Sequence, residues 1–498
     1  MKKFLSLLTA VMATFLVGLM ALTGCTKKPD INTMIPDSQL VLNLDTRSLR
    51  DKADFDNIDK LAFVKLLRQE LKNENPKASE IINELIENPD ASGLDLRESI
   101  ALFYDENAFK GKVGVVALMK NAKKFEEFII NTHKSANDEL NVSHDGDFCF
   151  AHGSNSSFAY CWDAQKAYFF PYHSIGEAEN DAKQLMWMAE HHNIADNSEY
   201  TALMKDKRDV KIYIDLDEFA KSSKNKEQYA EMYENVKICL SLNFEPGAIK
   251  VRLNTSGIDP EKAFCTDFDN NITKYLPQEP IAVATMNLKI DQLLVFSQRY
   301  SDKNLNLDEE IIDGITVRRL FNCFNGNFAA CISDIFETDK GDPFFDFCVV
   351  ADINNQAILM HILDEIGKEG KLKRYGDSYL FDHGISIMLN DNTMIFSNNN
   401  AALANFSTGG AGKLINDAQY PWYAHLNLDL STYPAALKDT FGHDVVRLFS
   451  EFFKDVEMKF SKDWSGEITV NLQNTDQNSL EFTLKFIDDN LTTLSRIF

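Results

Sequence analysis

One unit recurs along this chain: an apolar strand, a short polar or turn-forming cap, then an amphipathic helical run. It reads QLVLNLDTRSLRD from Gln39, VVALMKNAKKFEEFI from Val115, VKIYIDLDEFAKS from Val210, IAVATMNLKIDQLLVF from Ile281, FCVVADINNQAILMHIL from Phe347 and YAHLNLDLSTYPAAL from Tyr423. In the first copy Leu40, Leu42 and Leu44 alternate with Val41, Asn43 and Asp45, the period-two signature of a half-buried strand. Asp45 or Thr46 then offers an N-cap, and Asn121 precedes a run whose Phe125, Phe128 and Ile129 share one helical face. Each copy switches period from strand to helix.

The copies pair across the chain. Pro36 in MIPDSQLVLNLD matches Pro277 in YLPQEPIAVATMNL, VALMKNAKKFEEFI matches VADINNQAILMHIL, and HDGDFCFAHG (144–153) is echoed by YGDSYLFDHG (375–384). Short alternating strands and turns fill the intervals, with connections too short for crossover helices. The expected fold is therefore α+β: two tandem diverged repeats, each a largely antiparallel sheet with helices packed on one face. The His-Gly pairs at 152–153 and 383–384 read as tight turns, since histidine tolerates the left-handed region. The echo is then a duplicated hairpin and not a catalytic motif.

The first residues have a different task. Lys2 and Lys3 precede the apolar run FLSLLTAVMATFLVGLM, which ends in ALTGC, the order of a secretory leader. Leu22-Thr23-Gly24-Cys25 resembles the lipobox of bacterial lipoproteins, which implies cleavage between Gly24 and Cys25 and lipidation of Cys25. The expected organisation is a leader at 1–24, a lipidated cysteine and tether at 25–35, a first repeat domain at 36–262 and a second at 273–498. The expected address is the outer membrane, lipid-anchored and periplasm-facing because TKKPD after Cys25 lacks an acidic run, with cell-surface display as the alternative.

With 75 acidic side chains against 51 basic ones the formal charge is −24, and it grows more negative once Lys2 and Lys3 are removed. Such a surface repels nucleic acid and anionic headgroups, so the membrane is expected as a partner only through acyl chains. A protein or glycan partner stays open. Seven cysteines besides Cys25 stand singly in apolar runs and give no disulfide framework. Cys323 and Cys331 flank Asn325-Gly326, which reads as a two-residue hairpin turn.

No motif compels a chemistry. GGAGKL (409–414) has Ser407 where a phosphate-binding loop begins with glycine, and Leu414 where Mg²⁺ needs a hydroxyl. DFDNN (267–271) lacks the later glycine and glutamate of a calcium loop, and the acidic stretch Asp334 to Asp342 reads as a solvated loop. Glu190-His191-His192 places adjacent side chains about 100° apart on a helix. Ser154 in GSNSS lacks the second glycine of a nucleophile elbow. The aromatic clusters at Tyr168, Phe169, Phe170 and Tyr172, and at Tyr420, Trp422 and Tyr423, lie at or beside expected strands and read as core. No catalytic residue, metal ligand or cofactor is assigned.

The lipobox, the IPDSQLVLNLDTRSL opening, the NPDASGLDLRESIALFY segment and the strand-cap-helix units together resemble a family of envelope lipoproteins, defined by a domain of unknown function, from two-membrane gut anaerobes. The resemblance implies an envelope lipoprotein and transfers no site residues. The expected role is non-catalytic binding or scaffolding. The alternatives are capture of a glycan or hydrophobic molecule, and a hydrolase with an unrecognised site.

Overall fold

The computed structural model describes residues 30–497 apart from 75, 107–108, 223–232, 259–264, 295–306, 313, 338–342, 369, 371, 382–383, 391, 411–414, 416–419 and 434. The chain forms two compact units, Met1–Gly257 with Asn474–Phe498, and Ile258–Gln473. No described helix is long and apolar enough to cross a membrane.

The first unit is built on ten strands: β1 (Leu40–Leu44), β2 (Ile100–Asp105), β3 (Lys112–Leu118), β4 (Leu140–Asp145), β5 (Phe148–Gly153), β6 (Phe158–Trp162), β7 (Lys166–Pro171), β8 (Val210–Asp215), β9 (Lys237–Glu245) and β10 (Ala248–Ser256). Their spatial order is β4-β5-β6-β7-β3-β2-β1-β8-β9-β10, and each of these pairings is antiparallel. Four helices matter for packing: α1 (Thr46–Lys52), α2 (Ala62–Glu74), α3 (Ala122–Ser135) and α4 (Ile175–His191). Both expected caps form. The Asp45 side chain accepts from the Ser48 N–H at 2.9 Å, and Asn121 Oδ1 accepts from the Lys124 N–H at 3.0 Å.

The second unit has β11 (Ala282–Asn287), a short side hairpin of β12 (Glu310–Ile312) and β13 (Ile315–Thr316), then β14 (Phe324–Glu337), β15 (Pro343–Ile353), β16 (Leu372–Tyr375), β17 (Ser378–Phe381), β18 (Ser386–Asn390), β19 (Thr393–Ser397), β20 (Trp422–Asn427), β21 (Phe453–Phe460) and β22 (Gly466–Leu472), with α5 (Gln356–Gly367) and α6 (Asn400–Ser407). Its main sheet runs β16-β17-β18-β19-β15-β14-β11-β20-β21-β22, again antiparallel throughout. Strand for strand, this is the order of the first unit.

Helices cover both faces of each sheet, not one as expected. In the first unit α4 buries Ala178, Ala182 and Leu185 with Val41, Phe103, Val116 and Phe170. On the other face α3 buries Phe125 and Ile129 with Ala117, Ala151 and Trp162. Adjacent Val116 and Ala117 point to opposite faces, so the two helices sandwich the sheet. The second unit repeats this, with α6 placing Ala402 and Phe406 beside Val350 and Ile395, and α5 placing Leu359 and Leu363 beside Ile387 and Leu389. Near-continuous apolar runs such as VGVVALM fit burial on two sides.

The penultimate helix Ser479–Asp489, in a segment expected with the second repeat, belongs to the first unit. Its Leu480 and Leu484 join Leu49, Phe55, Phe63 and Val64 in one apolar cluster. Asp488 accepts from the Phe63 N–H at 2.8 Å, and Asn478 Nδ2 donates to the Phe244 carbonyl at 2.9 Å. Beside this cluster a buried carboxylate ties α1 to the sheet. Asp209 accepts from Ser48 Oγ at 2.6 Å, Lys52 Nζ at 2.8 Å and the Phe244 N–H at 2.7 Å.

Two turn readings are corrected. Gly153 ends β5 in a strand, not a left-handed turn; a Cβ there would lie 2.2 Å from Asp138 Oδ2 and 2.8 Å from His133 Cε1. Glycine is needed because the buried His133, bonded to Asp138 at 2.8 Å and to the Tyr160 hydroxyl at 2.9 Å, sits directly against it. Burial opposes the charge on Asp138, but backbone and His133 hydrogen bonds outweigh it and hold its carboxyl below the usual value. Asn325-Gly326 lies inside the long strand β14 and makes no hairpin. The register shifts between Phe324 and Phe328, Gly326 has φ 91°, and a Cβ would meet the Leu288 carbonyl oxygen at 1.8 Å, so the dipeptide builds a bulge.

Candidate functional site

Following one face of each sheet through its registers gives two rows of side chains. In the first unit the row runs Phe169, Val115, Leu102, Leu42, Ile212, Leu240. The same path through the second unit runs Phe396, Val349, Ala330, Ala284, Ala424, Met458. The ends match in bulk, while the three central side chains shrink from two leucines and an isoleucine to three alanines. A hollow results.

That hollow is an open groove of about 460 Å³ on the second unit. Ala284, Ala330 and Ala424 form its floor, with Phe347 and Val349 on one side and Val456 and Met458 on the other. Its volume falls in the roughly 300–1,000 Å³ range of small-molecule sites, which are lined mainly by apolar groups. Its lining includes one titratable ring, His425, whose Nε2 lies 3.9 Å from Asp455 Oδ1. A sugar would find almost no hydrogen-bond partners in this lining, and leaving its hydroxyls unpaired would be costly. An alkyl chain would lose none.

Other sequence candidates take structural roles. Tyr168 and Phe170 are fully buried, and Tyr423 is nearly so. Trp422 is 36% exposed and its ring lies 5.5 Å from Phe460. Asp269 of DFDNN caps the short helix Asn270–Tyr275 through the Asn271 N–H, and Asp267 pairs with Lys462 at 2.5 Å. His191 stacks on Trp187 at 5.1 Å, and Ser154 Oγ donates to the Glu139 carbonyl. Gly409 and Gly410 both take positive φ after α6, while 411–414 lie outside the described residues, as do Gly24, Cys25 and 338–342; Asp334 to Glu337, expected in a loop, instead end strand β14.

The described cysteines are free, and the pair the register brings together is Cys331 with Cys348 on β14 and β15. Their mutual hydrogen bond draws the Cys331 thiol down and pushes Cys348 up, and burial adds to the rise at Cys348.

Fold and groove together describe a mixed helix and strand protein with extensive antiparallel sheet and an apolar hollow on the second unit. The chain belongs to the DUF4836 family, a domain of unknown function, whose profile matches residues 31–480. No curated protein matches it in sequence. Similar solved structures include crystal forms of TP0453. Form IV has a TM-score of 0.27 at 8% identity, covering 46% of this chain and 81% of that one. Form III has a TM-score of 0.27 at 8% identity, covering 49% and 90%. Form I has a TM-score of 0.22 at 5% identity, covering 77% and 99%. At these scores the likeness carries no argument.

Proposed function

We propose that this is a non-catalytic, lipid-anchored envelope protein that holds an apolar, chain-like ligand in the groove of its second unit. The observation that carries the reading is the replacement of Leu42, Leu102 and Ile212 in the first row by Ala284, Ala330 and Ala424 in the second. The identical strand order of the two sheets supports descent from one duplicated domain, in which one copy kept a filled face and the other opened it. Of the two ligand classes, the lining favours a hydrophobic molecule over a glycan.

Filling the hollow tests this. The chain from Thr26 onward should bind a fluorescent long-chain fatty acid saturably, and the triple variant Ala284→Leu, Ala330→Leu, Ala424→Ile should lose that binding while keeping its circular dichroism spectrum. Equal binding by both proteins would sink the reading.

The anchor rests on the leader and on Leu22-Thr23-Gly24-Cys25. Cells fed a clickable palmitate analogue should label the wild-type protein and leave Cys25→Ser unlabelled. Label persisting in the variant would contradict the anchor.

A further inference from the structure

The hairpin β4–β5 and the helix α3 bring three metal-ligating side chains to one point in the first unit. His144 and Cys149 face each other directly across the ladder, and Glu126 reaches them from the helix. His144 Nδ1 lies 3.2 Å from Cys149 Sγ, and His144 Nε2 lies 3.5 Å from Glu126 Oε1. Ligand atoms of all three residues fall within 4.8 Å of one another. The His144 side chain is 52% exposed and that of Glu126 28%, so the cluster is reachable from solvent.

The matching place in the second unit is built differently. There, across β16–β17, Arg374 faces Tyr379. Arg374 Nη1 pairs with Asp364 of α5 at 2.7 Å, the Tyr379 hydroxyl donates to Asp364 at 3.0 Å, and the guanidinium carbon stands 5.6 Å from the Tyr379 ring centre. A resident cation therefore closes the junction of helix and hairpin in that unit. At the same register the first hairpin supplies an imidazole and a thiol, and α3 adds a carboxylate, all of which can donate to a cation.

We infer that Glu126, His144 and Cys149 form a binding site for a zinc-like divalent transition metal, independent of the groove. The donor set is sulfur, nitrogen and oxygen. Three protein ligands with a position left to water is a known zinc arrangement, and thiolate with imidazole argues against magnesium or calcium. A cysteine-histidine-glutamate hydrolytic triad is the competing reading of the same geometry, and the surroundings oppose it. A nucleophile needs its thiolate stabilised by positive neighbours. The charged groups acting on Cys149 are Glu126, Asp163 and Asp147, all of them negative. That field favours an arriving cation, which would release the thiol proton to solvent as the metal–sulfur bond forms.

Cobalt(II) and zinc(II) titrations of the chain from Thr26 onward provide the test. Cobalt should give a thiolate-to-metal absorption band at one equivalent, and zinc should bleach it. Cys149→Ser should abolish the band, and His144→Gln, at an exposed position that tolerates the change, should weaken zinc binding by at least about 10–100-fold. No band in the wild-type protein would overturn the inference, as would a band unchanged in Cys149→Ser, because another of the free thiols would then hold the ion.

Discussion

Replacing Asp209 with alanine should destabilise the first unit by about 3–5 kcal/mol, the range for breaking a buried, hydrogen-bonded charge pair from one side. The Asp209 side chain is 1% exposed, and it serves three donors from separate places: Ser48 and Lys52 on α1, and the backbone N–H of Phe244 on β9. Lys52 is 24% exposed and also holds Asn243 at 2.7 Å, so it can recover part of its solvation. The Ser48 hydroxyl and the Phe244 N–H have less recourse, and a buried donor without a partner is costly. Asp209→Asn keeps the shape and one acceptor and should lose less. Urea denaturation decides: a loss under about 1 kcal/mol, typical of an exposed pair, would mean that this carboxylate does not hold α1 to the sheet.

Trp162→Ala should cost a similar amount, about 3–5 kcal/mol for truncating a large buried aromatic. Trp162 is 1% exposed, and its ring meets Phe125 of α3 edge to face at 5.3 Å. It lies between Cys149 on β5 and Ala167 on β7 in the ladder. The small neighbour at Ala167 leaves room for the indole, so deletion opens a cavity that the sheet cannot close. The same change should weaken the near-ultraviolet dichroism, because Trp162 is the rigid aromatic seat of α3. A loss of less than about 1.5 kcal/mol, as for a tolerated volume-conserving swap, would show α3 to be loosely seated.

The strand-cap-helix units were legible because cap chemistry is local. Asp45 and Asn121 need only their own next turn, and both do what their side chains suggest. The second helix layer was less legible, since VGVVALM is apolar at both parities and does not reveal which helix covers which side. Ser479–Asp489 shows an apolar stripe through Leu480 and Leu484, but a stripe does not name the surface it meets. Gly153 and Gly326 mislead for one reason: glycine after histidine or asparagine suggests a turn, whereas both serve close approaches to distant atoms.

The candidate site was hidden for a related reason. Alanine in IAVATMNL reads as one more small apolar strand residue. Its meaning appears only when the ladder sets Ala284 beside Ala330 and Ala424, residues 46 and 140 positions further along. Likewise the spacing of His144 and Cys149 matched no ligand motif, and Glu126 joins them through the packing of α3.

Photo-crosslinking with a fatty acid that carries a diazirine in its alkyl chain, followed by peptide mapping, tests ligand binding in the groove most directly. Adducts are expected on β14, β15 and β20 around Ala330, Val349 and Ala424, competed away by unlabelled fatty acid and absent in the filled triple variant. Adducts confined to other surfaces, or spread without competition, would contradict it.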